Sequence, residues 1–166
     1  AVGGESVASG RGAQSFGWQA VASGELSLAS GHQAQATGVR STAVGKSAVA
    51  SAINSVAIGN QATTNSTNAA SLGTSVAVGN LASAGDEDSV AIGDQANASG
   101  FHATAVGGES VASGRGSQTF GWQARATGEL SLAVGHQAVA GGVRSLALGK
   151  SATASGDFSI AIGNLA

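Results

Sequence analysis

The chain has 166 residues, a formal net charge of −2 and only 10% charged residues. A nucleic-acid surface needs clustered Lys and Arg, so this sparse and balanced charge argues against a nucleic-acid partner. The 27 glycines, with no proline, cysteine or methionine, exclude a disulfide scaffold and predict a thin, regular interior.

The chain is built from a short repeated unit. Its clearest copy, residues 54–62, reads small, bulky, small, bulky, glycine, two free positions and alanine. Alternation with period two followed by glycine predicts a short strand and a turn, and tandem copies predict a solenoid. The glycine that ends the alternation, called the anchor glycine below, recurs at Gly3, Gly17, Gly31, Gly45, Gly59, Gly79, Gly93, Gly107, Gly121, Gly135, Gly149 and Gly163.

The anchor glycines occupy every fourteenth position, with one interruption. A second glycine lies halfway between most successive anchors, at Gly10, Gly24, Gly38, Gly100, Gly114, Gly128, Gly142 and Gly156. Two glycine corners in each repeat unit imply two short strands per coil. We therefore predict an all-β parallel β-roll of about twelve coils, forming one domain over residues 1–166. The sequence begins and ends within a repeat, so we expect it to be a fragment of a longer protein.

Two places depart from the regular pattern. The interval from Gly59 to Gly79 is six positions longer than the others, which predicts a loop insertion at about 66–74. A degenerate extra strand at 70–73 is the alternative. Residues 85–88 read Gly-Asp-Glu-Asp, which we interpret as a solvated bulge, because a cation site needs more carboxylates at ligand spacing.

The sequence also contains a longer duplication that spans several of the short repeats. Residues 1–52 match residues 105–156 at 41 of 52 positions, with Val2 corresponding to Val106. The offset between the two segments equals seven regular coils plus the six inserted positions. The duplication predicts that one surface occurs twice along the solenoid.

The two faces of the first strand differ in size. Small residues such as Ser27 and Ala29 precede each anchor glycine, and Ala20 and Ala22 represent the small set on the second strand. If these sets meet, the roll has a narrow interior and the bulky residues point outward. The predicted outward set is Leu28, Val44, Val56, Ile58, Val76, Val78, Val90, Ile92, Leu132, Val134, Leu146, Leu148, Ile160 and Ile162. The pattern alone leaves open the opposite assignment, with the bulky residues inside.

An outward aliphatic face of this length predicts self-association. A soluble monomer rarely exposes more than a few hundred Å² of continuous apolar surface. Burial of each bulky side chain is worth roughly 1.5 to 3 kcal/mol before the heavy discount for a compact unfolded state. We expect the outward set to form an interface between copies of the chain.

The repeat resembles the head repeat of trimeric autotransporter adhesins, the Yersinia-adhesin-like head. The resemblance rests on residues 55–62 and their copies at 75–82, 89–96 and 159–166. It implies a left-handed parallel β-roll assembled as a parallel homotrimer, at the distal end of a surface fibre of a Gram-negative bacterium. It also implies that the fibre is anchored in the outer membrane only through segments absent from this chain.

The position after the anchor glycine carries a distinctive side chain in several coils. In a parallel stack these positions lie about 4.8 Å apart, so they form columns along one edge. The first predicted column is Trp18, His32 and Lys46, and the second is Trp122, His136 and Lys150. The next coil after each column carries an asparagine at this position, Asn60 or Asn164. Each column is interpreted either as a ligand-binding stripe or as a corner filler between subunits. Arg11 with Glu25, and Arg115 with Glu129, occupy another column and are expected to pair.

Enzymatic chemistry finds no support in the sequence. His32 and His136 are copies of one repeat position with no Cys or acid nearby in sequence to complete a site, and we interpret them as surface corner residues. His102 lies near a corner and is equally unsupported, and the glycine-rich runs lack the lysine of a phosphate loop. We predict no cofactor and no metal. The resemblance implies adhesion to a host extracellular matrix protein or cell-surface receptor through a repetitive, multivalent surface. A structural spacer within the fibre, without a ligand of its own, is the alternative.

Overall fold

The computed structural model describes residues 1–65 and 74–166. Within these ranges the chain forms 22 short strands that alternate between two sheets. Strands with odd numbers form the two-residue sheet: β1 Val7–Ala8, β3 Val21–Ala22, β5 Gln35–Ala36, β7 Val49–Ala50, β9 Thr63–Thr64, β11 Ser83–Ala84, β13 Asn97–Ala98, β15 Val111–Ala112, β17 Arg125–Ala126, β19 Val139–Ala140 and β21 Thr153–Ala154. Strands with even numbers form the three-residue sheet: β2 Gln14–Phe16, β4 Leu28–Ser30, β6 Thr42–Val44, β8 Val56–Ile58, β10 Val76–Val78, β12 Val90–Ile92, β14 Thr104–Val106, β16 Gln118–Phe120, β18 Leu132–Val134, β20 Leu146–Leu148 and β22 Ile160–Ile162.

Each sheet runs through the coils in chain order, and every strand pairs in parallel with its counterpart in the next coil. The register is one coil, as in the pairing of Ala29 with Ala43. This arrangement confirms the predicted parallel β-solenoid with two strands per coil. Within the described ranges each sheet has eleven strands although the sequence has twelve anchor glycines. In the three-residue sheet, the residues before Gly3 contribute only the isolated bridge between Val2 and Phe16. In the two-residue sheet, the last strand is β21, which follows Gly149, and none follows Gly163.

The register also holds across the one longer interval between anchor glycines. Strand β8 pairs directly with β10, with Val56 opposite Val76, and β9 pairs directly with β11. The predicted loop insertion falls on residues that lie outside the described ranges, apart from Thr74, and so does the alternative strand at 70–73.

The interior consists of very small side chains. The buried side chains of the described residues are alanines, serines and the two threonines Thr64 and Thr119. Ala29 of the three-residue sheet and Ala22 of the two-residue sheet are both 0% exposed. Several buried serines satisfy their hydroxyls locally, as when Ser27 donates to the carbonyl of Gly24 at 2.7 Å. The assignment of small residues to the interior is confirmed, and the opposite assignment is wrong.

The anchor glycines are required for two separate reasons. Gly17 has a φ of +125°, a conformation that side-chain-bearing residues rarely adopt. A Cβ atom on Gly17 would also lie 2.5 Å from the carbonyl oxygen of Gly31 in the next coil. Coils about 4.8 Å apart therefore leave no room for any side chain at this position.

The corners carry a backbone feature that the sequence pattern did not indicate. Among the residues that the structure describes, twenty other than glycine adopt the left-handed conformation, with φ between 51° and 59°. They recur at both corners, for example at Gln33 after an anchor glycine and at Arg40 at the following corner. Each costs conformational energy, which the strand ladders on both sides offset.

The acidic segment 85–88 is a regular corner. Asp86 occupies the place of the second glycine, and Ser89 donates to its carbonyl at 2.6 Å as Ser27 does to Gly24. The regular one-coil register continues through β11 and β13. The predicted bulge is wrong, because Gly85 occupies the position directly after the strand, as Ser99 does in the next coil, and adds no residue to the coil. In the described part of the chain, no helix is long and apolar enough to cross a membrane.

Candidate adhesive surfaces

The outer face of the three-residue sheet is an aliphatic stripe. Each of the fourteen predicted interface residues lies outside the alanine interior: nine are half-buried, and Ile58, Ile92, Leu148, Ile160 and Ile162 are exposed. Because the strands are in register, the last residues of the strands form an unbroken apolar row from Val44 to Ile162. The row formed by the first residues is interrupted by Thr42, Thr104 and Gln118.

The corner after the anchor glycine holds the two predicted columns. The ring of Trp18 lies 4.8 Å from that of His32, and the ring of Trp122 lies 4.9 Å from that of His136, measured between centroids. The two indoles are 47% and 45% exposed. The structure therefore brings each tryptophan and histidine together in two equivalent aromatic pairs on the surface.

A glycine makes room for each indole. A Cβ atom on Gly4 would lie 2.9 Å from Cδ1 of Trp18, and one on Gly108 would lie 3.1 Å from Cδ1 of Trp122. The indole therefore lies over the corner of the preceding coil. The two lysines, Lys46 and Lys150, occupy the coil after each histidine and are exposed. The glycine one coil before each tryptophan was the feature of the sequence that could have indicated where the indole lies.

Between the two aromatic pairs, the same corner position carries a chain of polar side chains. Asn60 donates to Asn80 at 2.8 Å, and Asn80 donates to a carboxylate oxygen of Asp94 at 2.6 Å. Hydrogen bonds from Asn80 and, more weakly, from Gln95 lower the pKa of the Asp94 carboxyl. Asp94 is thus a fixed negative charge on the edge that also carries both tryptophans.

A second row of hydrogen bonds runs beside the columns, one residue further along each corner. Gln33 donates to Gln19 at 3.0 Å, and Gln19 donates to Glu5 at 2.6 Å. In the duplicated segment, Gln137 donates to Gln123 at 2.9 Å and Gln123 to Glu109 at 2.7 Å. Sequence reasoning missed these rows, although Gln and Glu were visible at the same place in successive repeats.

The opposite corner carries ion pairs. The guanidinium of Arg11 contacts the carboxylate of Glu25, and Nη1 of Arg115 lies 3.6 Å from Glu129. Both predicted pairs are therefore confirmed. All four side chains are substantially exposed, so each pair contributes at most a fraction of about 1 kcal/mol.

Further along the opposite corner, His102 combines an aromatic and a carboxylate contact. Its ring stacks on Phe101 at 3.9 Å, and its Nε2 lies 3.4 Å from Asp88. Among the described residues, no group of three or more His, Cys, Asp and Glu is placed to hold a metal ion.

The repeat unit itself matches a known family. The model for the YadA head domain repeat matches residues 22–48, 50–75, 73–96, 98–117, 126–151 and 140–166, which together make up most of the chain. This chain belongs to the YadA head domain repeat family. YadA head repeats characterise non-enzymatic, adhesin-type heads that form trimers, and they imply a surface-exposed adhesin. The predicted resemblance to the head repeat is thereby confirmed. A search of curated proteins finds no match to this chain.

Proposed function

We propose that this chain is the adhesive head of a trimeric fibre on the surface of a Gram-negative bacterium, and that it attaches the cell to a host extracellular matrix protein or cell-surface receptor. Membership of the YadA head repeat family supports the adhesive role. The observation that carries the proposal is the Trp–His–Lys column with its exposed indole, which occurs twice on one edge of a rigid solenoid.

We assign the aliphatic stripe to the interface of the trimer. Rows of half-buried Val and Leu with more exposed Ile lie in register on the three-residue sheet. In the described coils, the outer face of the two-residue sheet mixes five valines with polar and charged residues such as Gln35, Thr63 and Arg125, so it is less apolar. Turning the aliphatic face of each chain toward a common threefold axis removes these rows from water. The two corners and the outer face of the two-residue sheet then stay accessible to a ligand.

Adhesion through such a surface is multivalent. The two columns lie seven coils apart, which corresponds to roughly 34 Å along the solenoid axis at about 4.8 Å per coil. Three chains then present six columns to a fibrous, repetitive ligand. Weak contacts at several columns combine into high avidity because each later contact is intramolecular.

The experiment is a solid-phase binding assay of the purified trimer against immobilised matrix proteins. Trp18→Ala or Trp122→Ala alone is expected to weaken binding to the best ligand by less than about fivefold. The double variant is expected to weaken it by more than about fiftyfold, since both sites of each chain are lost. Leu26→Ala, which removes an exposed side chain from the opposite corner, serves as the control and leaves binding unchanged.

Two results would contradict the proposal. If one tryptophan substitution abolished binding by itself, a discrete site would replace the multivalent surface. If the trimer bound none of the matrix proteins and no host cells, the chain would be a spacer within the fibre.

A further inference from the structure

A groove of about 370 Å³ lies beside the second aromatic column, where three successive coils enter the two-residue sheet. It is lined by Glu109, Gln123, Arg125, Gln137 and Val139, and we call it the Arg125 groove. Arg125 and Val139 are the first residues of the paired strands β17 and β19, so the strand ladder fixes their backbones. The groove is therefore a preformed surface feature on a rigid part of the fold.

One wall of the Arg125 groove is the row of Gln137, Gln123 and Glu109. Both amide nitrogens in this row donate in the same direction, toward the carboxylate of Glu109. A side-chain amide has two N–H groups, and each of these nitrogens uses one within the row. The second N–H of each glutamine and the remaining carboxylate lone pairs are left for hydroxyl groups of a ligand.

The other wall of the groove carries the guanidinium of Arg125. Arg125 is exposed, and within the described residues its guanidinium makes no ion pair and no side-chain hydrogen bond. By contrast, Arg11 and Arg115 each pair with a glutamate one coil away. A guanidinium offers a planar fork of N–H donors that matches a carboxylate, and such charge-assisted pairs are strong and directional.

The duplicated segment provides an internal comparison. In the first copy, the row of Gln33, Gln19 and Glu5 is the same, but Val21 and Gln35 stand where the second copy has Arg125 and Val139. Val21 pairs in the ladder as Arg125 does. The fold therefore does not need an arginine at this position, which points to a role in binding.

We propose that the Arg125 groove binds a sugar residue that carries a carboxylate, such as a sialic or uronic acid at the end of or within a host glycan. The carboxylate pairs with the guanidinium of Arg125. The ring hydroxyls bond to the amides of Gln123 and Gln137 and to Glu109, while Val139 contacts an apolar face of the ring. This inference rests on the proposed adhesive function and names one ligand class for it.

The test is saturation-transfer NMR with isothermal titration calorimetry on the full 166-residue chain. The probes are 3′-sialyllactose and a hyaluronan tetrasaccharide, which distinguish sialic from uronic acid, and neutral lactose as a control. At least one acidic sugar is expected to bind with one site per chain, and lactose is not. Arg125→Val is expected to weaken that binding about tenfold or more, since it removes a charge-assisted pair.

Two controls keep the result interpretable. Arg125→Val introduces the residue that the first copy already has, so its melting temperature is expected to equal that of the wild type. The gain-of-function variant Val21→Arg with Gln35→Val rebuilds the groove in the first copy and is expected to raise the stoichiometry from one to two sugars per chain. Unchanged sugar affinity in Arg125→Val, or failure of both acidic sugars to bind, would overturn the inference.

The outcomes for the two proposals are separable. Arg125→Val is expected to keep its binding to matrix proteins through the Trp–His–Lys columns. If matrix binding is intact but no acidic sugar binds, the sugar inference alone fails. If acidic sugars bind as expected but no matrix protein or host cell is bound, the proposed role of the columns is wrong and the sugar-binding role of the Arg125 groove is retained.

Discussion

The Asp94 carboxyl shows how a side chain in one coil changes the pKa of a side chain at the same position in the next coil. This carboxylate lies within hydrogen-bond distance of Asn80 because the two residues occupy the same corner position in adjacent coils. Donors at this distance stabilise the charged form and so lower the pKa. The side chain is exposed, so the effect on overall stability is small and is best measured at the carboxyl itself.

We expect the Asp94 carboxyl to titrate below the ordinary range for aspartate, as followed by NMR of its side-chain carbon. Because the pKa is lowered by folding, the hydrogen bonds stabilise the fold above the unfolded pKa. That stabilisation is lost as the pH falls through the folded pKa. Asn80→Ala is expected to raise the Asp94 pKa more than Gln95→Ala does, because the bond from Asn80 is 2.6 Å long and that from Gln95 is 3.2 Å. An Asp94 pKa that is unchanged in Asn80→Ala would show that the bond is absent in solution.

At the scale of the coil, stability comes from a dense stack of small side chains. Ala91 and Ala98 lie on opposite sheets and are both 0% exposed. An interior this narrow gains little from each residue, but backbone ladders link every coil to the next. The coil therefore tolerates changes that point outward and resists enlargement inside.

One inward and one outward enlargement of a side chain test this difference between the interior and the surface of the coil. Ala91→Leu places three extra carbon atoms in the closed interior and is expected to cost about 1 to 3 kcal/mol or more. Ser113→Leu adds a similar volume on the exposed face of the two-residue sheet and is expected to change stability by less than about 0.5 kcal/mol. Thermal unfolding followed by circular dichroism separates the two. Equal melting temperatures would mean that the coil is loosely packed.

For the molecule as a whole, the aliphatic stripe determines the expected assembly. Ile58 and Ile92 are 40% and 41% exposed, and they lie in one row with Val78 between them. A row of this kind over many coils favours association of several chains along their full length.

We expect sedimentation equilibrium to give three chains per particle. Ile92→Asp places a charge in the proposed interface and is expected to shift the particle toward monomer, since an unpaired charge is costly to desolvate. Ser99→Asp, on the exposed face of the other sheet, should leave three chains per particle. A stable, monodisperse wild-type monomer would refute the interface assignment.

The repeat determined most of the fold without further information. A fixed interval places each residue beside its equivalent in the next coil of any parallel stack, so the strand pairs, the aromatic columns and the pair of Arg11 with Glu25 were all predictable. Alternation of small and bulky residues likewise indicated two faces. It did not decide which face is buried, because a narrow roll and a wide one share the same alternation.

Only the tertiary structure decided the inside of the roll and the details of its corners. Burial identifies the alanine face as the interior. The left-handed residues, the direction of the Gln–Glu rows and the Arg125 groove depend on how side chains leave a tight turn and which neighbours they meet. Arg125 stands at a position whose residue type varies from coil to coil, so no periodic pattern marks it as part of a site. The spacing along a chain fixes which residues are neighbours, but the directions of their side chains follow from packing in three dimensions.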